Sequence, residues 1–214
     1  MTNYMKLPQI VYIVALLLCR QVCFATDQII TEDPPSKTIT IAAPDKTLSV
    51  VIDYTTGCSI KQLNVKGKNV LSPTGIYTGI RTKSEAFSSG KSSRKVAIAA
   101  TANGVAISGI TYGGVEETWE FELVGQKIVW HIDREYKQDA DLEDMAFPAW
   151  HFADLSVWKG GILDNGGMVW CKYLKQTGDT YGVHTGGATF WNAVSGDALR
   201  INTKPEGREV VANQ

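Results

Sequence analysis

The stretch "VEETWEFELVGQKIVWHIDREY", residues 115–136, decides the fold. Apolar and polar residues alternate on both sides of Gly125-Gln126. Glycine suits the first central position of a type II′ turn, which demands a positive φ. A two-residue loop there pairs Phe121 with Trp130, Trp119 with Ile132 and Glu117 with Arg134 on one face. The other face pairs Glu120 with His131. One face is aromatic and aliphatic, the other charged, as in an antiparallel sheet with one buried side. The period is two, so these are strands and not helices.

The same period runs through the rest of the chain from Thr38 onward. In "KVAIAATANGVAISGITY" (95–112) Asn103-Gly104 separates two alternating runs, the strongest short hairpin signal. A two-residue loop pairs Ala102 with Val105, Ala100 with Ile107 and Ile98 with Gly109. "LSVVIDY" (48–54) places Leu48, Val50, Ile52 and Tyr54 on one face. In the following "CSIKQLNV" the apolar phase shifts between Ile60 and Leu63, which predicts a bulge. "KGKNVLS" turns at Gly67, and "TITIAA" (38–43) and "GIYTGIRT" (75–82) are further strands. "KSEAFSSGKSSR" (83–94) and the acidic "KQDADLED" (137–144) read as loops. "GILDNGGMVWCKYL" (161–174) holds another Asn-Gly turn, and "ATFWNAVSGDALRINTK" (188–204) forms a last hairpin around Ser195-Gly196-Asp197. No helical stripe and no repeat of fixed period is present. The fold class is all-β, one domain of two stacked antiparallel sheets over residues 38–214. The polar "TDQIITEDPPSK" (26–37), with Pro34-Pro35, is a linker or extended lead-in.

The first 25 residues are not part of that domain. Lys6 is followed by the continuously apolar Ile10–Cys19, and "CFA" (23–25) puts small residues where a signal peptidase inspects the chain. This is a secretory signal peptide cut after Ala25, and its apolar run is too short for a membrane span of about 20 residues. The expected compartment is secreted, periplasmic or cell-surface. Cleavage removes Lys6 and Arg20 and no acid, so 21 basic and 22 acidic residues become 19 and 22, a formal charge of −3. That balance argues against nucleic acid or an anionic membrane as the main partner. Of four cysteines, Cys58 and Cys171 remain. They can pair in an oxidising compartment, or stand as two buried thiols in separate strands.

Six tryptophans fall between Trp119 and Trp191. Trp119 and Trp130 are in phase with Phe121, Ile128 and Ile132 and belong to the core. Trp150, Trp158, Trp170 and Trp191 lie in irregular or loop-adjacent segments, where an aromatic face can stack on the apolar C–H face of a sugar ring. His131 faces Glu120 as a cross-strand polar pair. His151 and His184 are better site candidates, because loops carry function. The three histidines are too scattered to read as a metal site, and no cofactor motif appears. Glycoside hydrolysis needs two carboxylates roughly 5–10 Å apart, a distance that no sequence displays. The acids Asp139, Asp141, Glu143 and Asp144 read as a solvated run. The Glu117–Arg134 pair falls on the aromatic face and is expected where that face meets the sheet margin. No nucleophile elbow, zinc-protease, phosphate-loop or dinucleotide fingerprint is present.

"LSVVIDYTTGCSIKQLNVKGKNVL" resembles the first meander of the galactose-mutarotase-like supersandwich: strand, glycine turn, strand and a short hairpin. "VEETWEFELVGQKIVWHIDREY" resembles a later hairpin of such domains, in particular the N-terminal sandwiches of secreted bacterial glycoside hydrolases with an (α/α)6 barrel. The resemblance spans roughly Leu48–Thr203. It implies a supersandwich, incomplete at its C-terminus, that contacts poly- or oligosaccharide or packs on a catalytic barrel absent from this chain. On that reading Trp150, His151, Trp158, Trp170, His184 and Trp191 are the carbohydrate contacts, and this segment is not itself catalytic. The alternative is an aldose mutarotase or epimerase, whose family works with two histidines and a glutamate. The histidines here match no such pattern, so no catalytic residue is carried over.

Overall fold

A computed structural model describes residues 30–153, 160–163, 168–169, 183–185, 187–191, 197–202 and 210–212; beyond residue 153, side chains are described only at Thr189 and 197–201. Among these residues there is no helix, and every regular element is a strand paired antiparallel.

The larger sheet is built on the meander β1 (Ile30–Asp33), β2 (Thr38–Ala42), β3 (Leu48–Asp53) and β4 (Ser59–Val65). After the short β5 (Lys68–Asn69) the chain enters β6 (Leu71–Thr82), against which β7 (Ala86–Ser88) pairs. The second sheet follows as β8 (Ala97–Ala100), β9 (Gly104–Tyr112), β10 (Val115–Val124) and β11 (Lys127–Tyr136). Then β12 (Leu142–Phe152) returns to the first sheet and pairs with β6. The orders are β1-β2-β3-β4-β6-β12 and β11-β10-β9-β8. A further four-stranded sheet has the order β14 (Met168–Val169), β13 (Gly160–Leu163), β16 (Gly187–Trp191), β17 (Ala198–Asn202). The strands β15 (Val183–Thr185) and β18 (Val210–Ala212) pair with each other.

The first two sheets form the sandwich. Alternation puts Ile39, Ile41, Val50, Ile52, Ile60, Ile76 and Ile80 of one layer against Val105, Ile107, Ile110, Trp119 and Phe121 of the other, all buried. Leu199 of β17 joins the same core, and Lys66 at the β4–β5 turn forms an ion pair with Asp197 just before that strand.

The deciding hairpin has the expected register: Phe121↔Trp130, Trp119↔Ile132, Glu117↔Arg134 and Glu120↔His131. Gly125 takes φ 61° while Gln126 stays out of the positive region, as a type II′ turn requires. The bulge in β4 is also present, since Val51 faces Gln62 and Ile52 faces Ile60, leaving Lys61 extra. The last hairpin pairs Trp191 with Ala198 and Phe190 with Leu199.

Four expectations are corrected. The β8–β9 hairpin pairs Ala100 with Val105 and Ile98 with Ile107, two residues away from the expected register. Its loop covers 101–104, closed by a bond from Thr101 N–H to Gly104 C=O at 3.0 Å. The cause is β10. It pairs with β9 up to Glu122↔Gly104, and Leu123 N–H holds Asn103 C=O at 3.1 Å, so Asn-Gly is drawn into the sheet rather than left as a free turn. A slip of two residues keeps every side chain on its face, so the pattern could not reveal it. Second, residues 142–144 of the acidic stretch belong to β12, an edge strand whose outward residues are free to be charged. Third, residues 86–88 of the Ser/Gly-rich stretch pair with β6 over a length too short for alternation to register. Fourth, the Glu117–Arg134 pair is not marginal but buried. Residues 30–33 of the lead-in form β1, paired with β2.

Candidate functional site

Two polar groupings stand out where the layers and their edges meet. The first is the buried one. Glu117 on β10 projects from the core face into the space between the sheets, with 1% of its surface exposed. Its Oε2 accepts from Thr78 Oγ1 (2.5 Å) and Trp119 Nε1 (2.9 Å), and its Oε1 accepts from Tyr112 OH (2.8 Å) and Arg134 Nε (2.6 Å). Arg134 Nη2 donates to Tyr112 OH (2.9 Å) and to the Ala146 carbonyl (3.0 Å). Its guanidinium lies 4.5 Å from the centre of the Phe147 ring. Tyr112 has one proton to give. Thr78 Oγ1 is 3.1 Å away, but the carboxylate is the stronger acceptor and receives it.

The group thus ties β6, β9, β10, β11 and β12 together. Burial pushes the Tyr112 phenol up, and the Glu117 charge pushes it further. Burial works against the Arg134 guanidinium, but Tyr112, Tyr136 and Glu117 outweigh it and its pKa is raised. All four principal acceptor positions of Glu117 are filled by protein donors. The arrangement binds its own members and leaves the carboxylate no position for a substrate proton, so it acts as an inter-sheet clamp.

The second grouping lies on the β6–β12 pair. Trp150 faces Ile76 across the ladder, and its ring packs against the core, 6.4 Å from and nearly parallel to Phe152. His151 points the opposite way. Its ring stacks on Tyr77 with centroids 5.3 Å apart and planes 13° apart. His151 Nε2 is buried with no hydrogen-bond partner among the described residues. The register slips between Ala146 and Ala149, where Phe147–Pro148 is cis, and again between Trp150 and Phe152. The two rings are half-buried, so they offer a partly exposed stacking surface, while the imidazole Nε2 is closed off from solvent.

Of the six residues proposed as carbohydrate contacts, the structure therefore describes two in full. It turns Trp150 toward the core and His151 toward Tyr77. His184 lies on β15 opposite Val211, and Trp191 on β16 opposite Gly160 and Ala198, but their side chains lie outside the described residues. Trp158, Trp170 and Cys171 lie outside them altogether. Cys58 is a buried free thiol. Tyr77 was not singled out from sequence, although its place in "GIYTGIRT", out of phase with Ile76 and Ile80, marks it as facing away from the core.

Among the described residues no group of three or more His, Cys, Asp or Glu could hold a metal ion, and no helix is long and apolar enough to cross a membrane. Comparison with known proteins finds no matching family, no matching characterised protein and no matching solved structure.

Proposed function

We propose that this chain is a non-catalytic, carbohydrate-associated β-sandwich module of a secreted glycoside hydrolase-like protein, of the galactose-mutarotase-like type. The observation that carries the reading is the partly exposed Tyr77–His151 ring pair, set on an antiparallel sandwich. Sugar rings present apolar C–H faces edged by hydroxyls. A partly exposed ring platform covers the first. The signal peptide supports export, and the mature chain is expected to begin at Thr26, which mass spectrometry of the exported protein reads directly.

The test is retention of the mature chain in native gels containing plant or host polysaccharides, alongside a glycan array. Wild type is expected to be retarded by at least one polysaccharide, and Tyr77→Ala and His151→Ala to lose about tenfold in affinity, since truncating a central aromatic contact costs more than about 1 kcal/mol. No binding to any glycan removes the ligand role and leaves packing on a catalytic domain. Polarimetry with fresh α-D-glucose and α-D-galactose is expected to show no acceleration over buffer. Acceleration that disappears in His151→Gln would replace the module reading with an aldose epimerase.

A further inference from the structure

We propose that β11 is a dimerisation strand: two copies of this chain pair their β11 edges antiparallel, centred on His131, and merge two four-stranded sheets into one of eight. β11 is outermost in its sheet and in register with β10 along all ten of its residues. Among the described residues no strand lies on its other side. Open edges are normally short, bent or interrupted, because their free N–H and C=O groups template another chain. The opposite edge of the same sheet obeys this, for β8 has four residues. β11 does not. It has no proline, no glycine and no register break against β10.

The turn determines which backbone groups face outward. Val124 and Lys127 flank the two-residue loop and form a hydrogen-bonded pair, so the odd-numbered residues of β11 bond to β10. The N–H and C=O groups of Ile128, Trp130, Ile132 and Arg134 point the other way. In self-pairing about His131 these outward groups meet one another: Trp130 faces Ile132 of the second copy, and Ile128 faces its Arg134. On the opposite face the exposed Lys127 stands against the exposed Glu135 of the second copy, twice by symmetry. Centring one residue later sets Lys127 against Lys137, like against like. Centring one residue earlier shortens the paired length. Charge therefore selects this register over the later one, and length over the earlier one.

The core margin is unfinished in the same place. Trp119 and Phe121 on β10 are 0% and 1% exposed, yet their cross-strand partners Ile132 and Trp130 are only half-buried. Trp130 Nε1 is buried with no acceptor among the described residues. A second β11 continues the apolar layer across the edge.

Sedimentation equilibrium of the mature chain is expected to show a dimer. Lys127→Glu and Glu135→Lys each turn two attractive cross-strand pairs repulsive, and each is expected to weaken dimerisation about tenfold. The combined Lys127→Glu/Glu135→Lys variant restores it. Both positions are exposed, and near-UV circular dichroism checks that the fold is kept. Amide exchange at Ile128, Trp130 and Ile132 is expected to slow as protein concentration rises. A monomer at high micromolar concentration, a dimer indifferent to either single change, or no recovery in the combined variant overturns the proposal.

Discussion

Glu117 shows how much one side chain can hold together. A carboxylate taken out of water is costly unless its lone pairs are filled, and here four donors from four strands fill them. Glu117→Gln keeps the shape but leaves Arg134 as a buried charge without a counter-ion, which costs about 3–5 kcal/mol in urea unfolding. Arg134→Met leaves the carboxylate with neutral donors only and destabilises for the complementary reason. The pair is coupled, so Glu117→Gln/Arg134→Met is expected to cost clearly less than the two single losses combined. Additive losses would show that the clamp is a set of independent contacts. The partners Glu117 and Arg134 were legible in the sequence because a two-residue turn sets the register. Their depth was not, because Thr78 and Tyr112 reach them from other strands 39 and 5 residues away in sequence from Glu117.

At the scale of an element, two glycines bounding the paired length of β10 have opposite reasons to be glycine. Gly125 occupies φ 61° with open space around it, so Gly125→Ala meets only backbone strain, about 1 kcal/mol. Gly104 has ordinary φ, but a Cβ there would collide with the Phe121 carbonyl of β10. Backbone cannot give way as a flexible side chain can, so Gly104→Ala is expected to cost more than about 2 kcal/mol. Thermal unfolding of the two variants ranks them; an equal or reversed order would mean that β9 and β10 can separate locally without loss. The same pair shows what pattern reading can do. Gly125 is a turn glycine and announces itself between two alternating runs. Gly104 looks like the same signal after Asn103 but serves a close strand approach, and only the neighbouring strand distinguishes the two uses.

For the whole molecule, burial between the layers sets the response to alkali. Cys58 is raised well above the usual thiol range, first by burial and then by the charges of Glu117 and Asp53. Tyr112 is raised by burial and Glu117, and Tyr54 to about 12 by burial and its bond to Glu32. Each group is neutral in the fold and ionises more easily once unfolded. Their stabilisation is complete below the unfolded pKa and is lost as pH rises above it toward the folded value. The unfolded thiol titrates near 8.5 and the phenols near 10, so between about pH 8.5 and 10 the Cys58 loss dominates, approaching about 1.4 kcal/mol per pH unit. Urea midpoints across that range should fall less steeply for Cys58→Ala than for wild type. Parallel slopes would place the thiol in contact with water.

By itself the sequence determined the all-β class, the strands of the meander and the register of the β10–β11 hairpin. Strand faces follow from a two-residue period, and a turn dipeptide sets register locally, so neither needs the rest of the chain. Only the tertiary structure decided that Ala100 meets Val105, that Glu117 sits between two sheets, and that Trp150 faces inward while His151 stacks on Tyr77. A shift of two residues leaves faces unchanged, and burial depends on what the opposite layer brings. Both are properties of contacts between segments far apart along the chain.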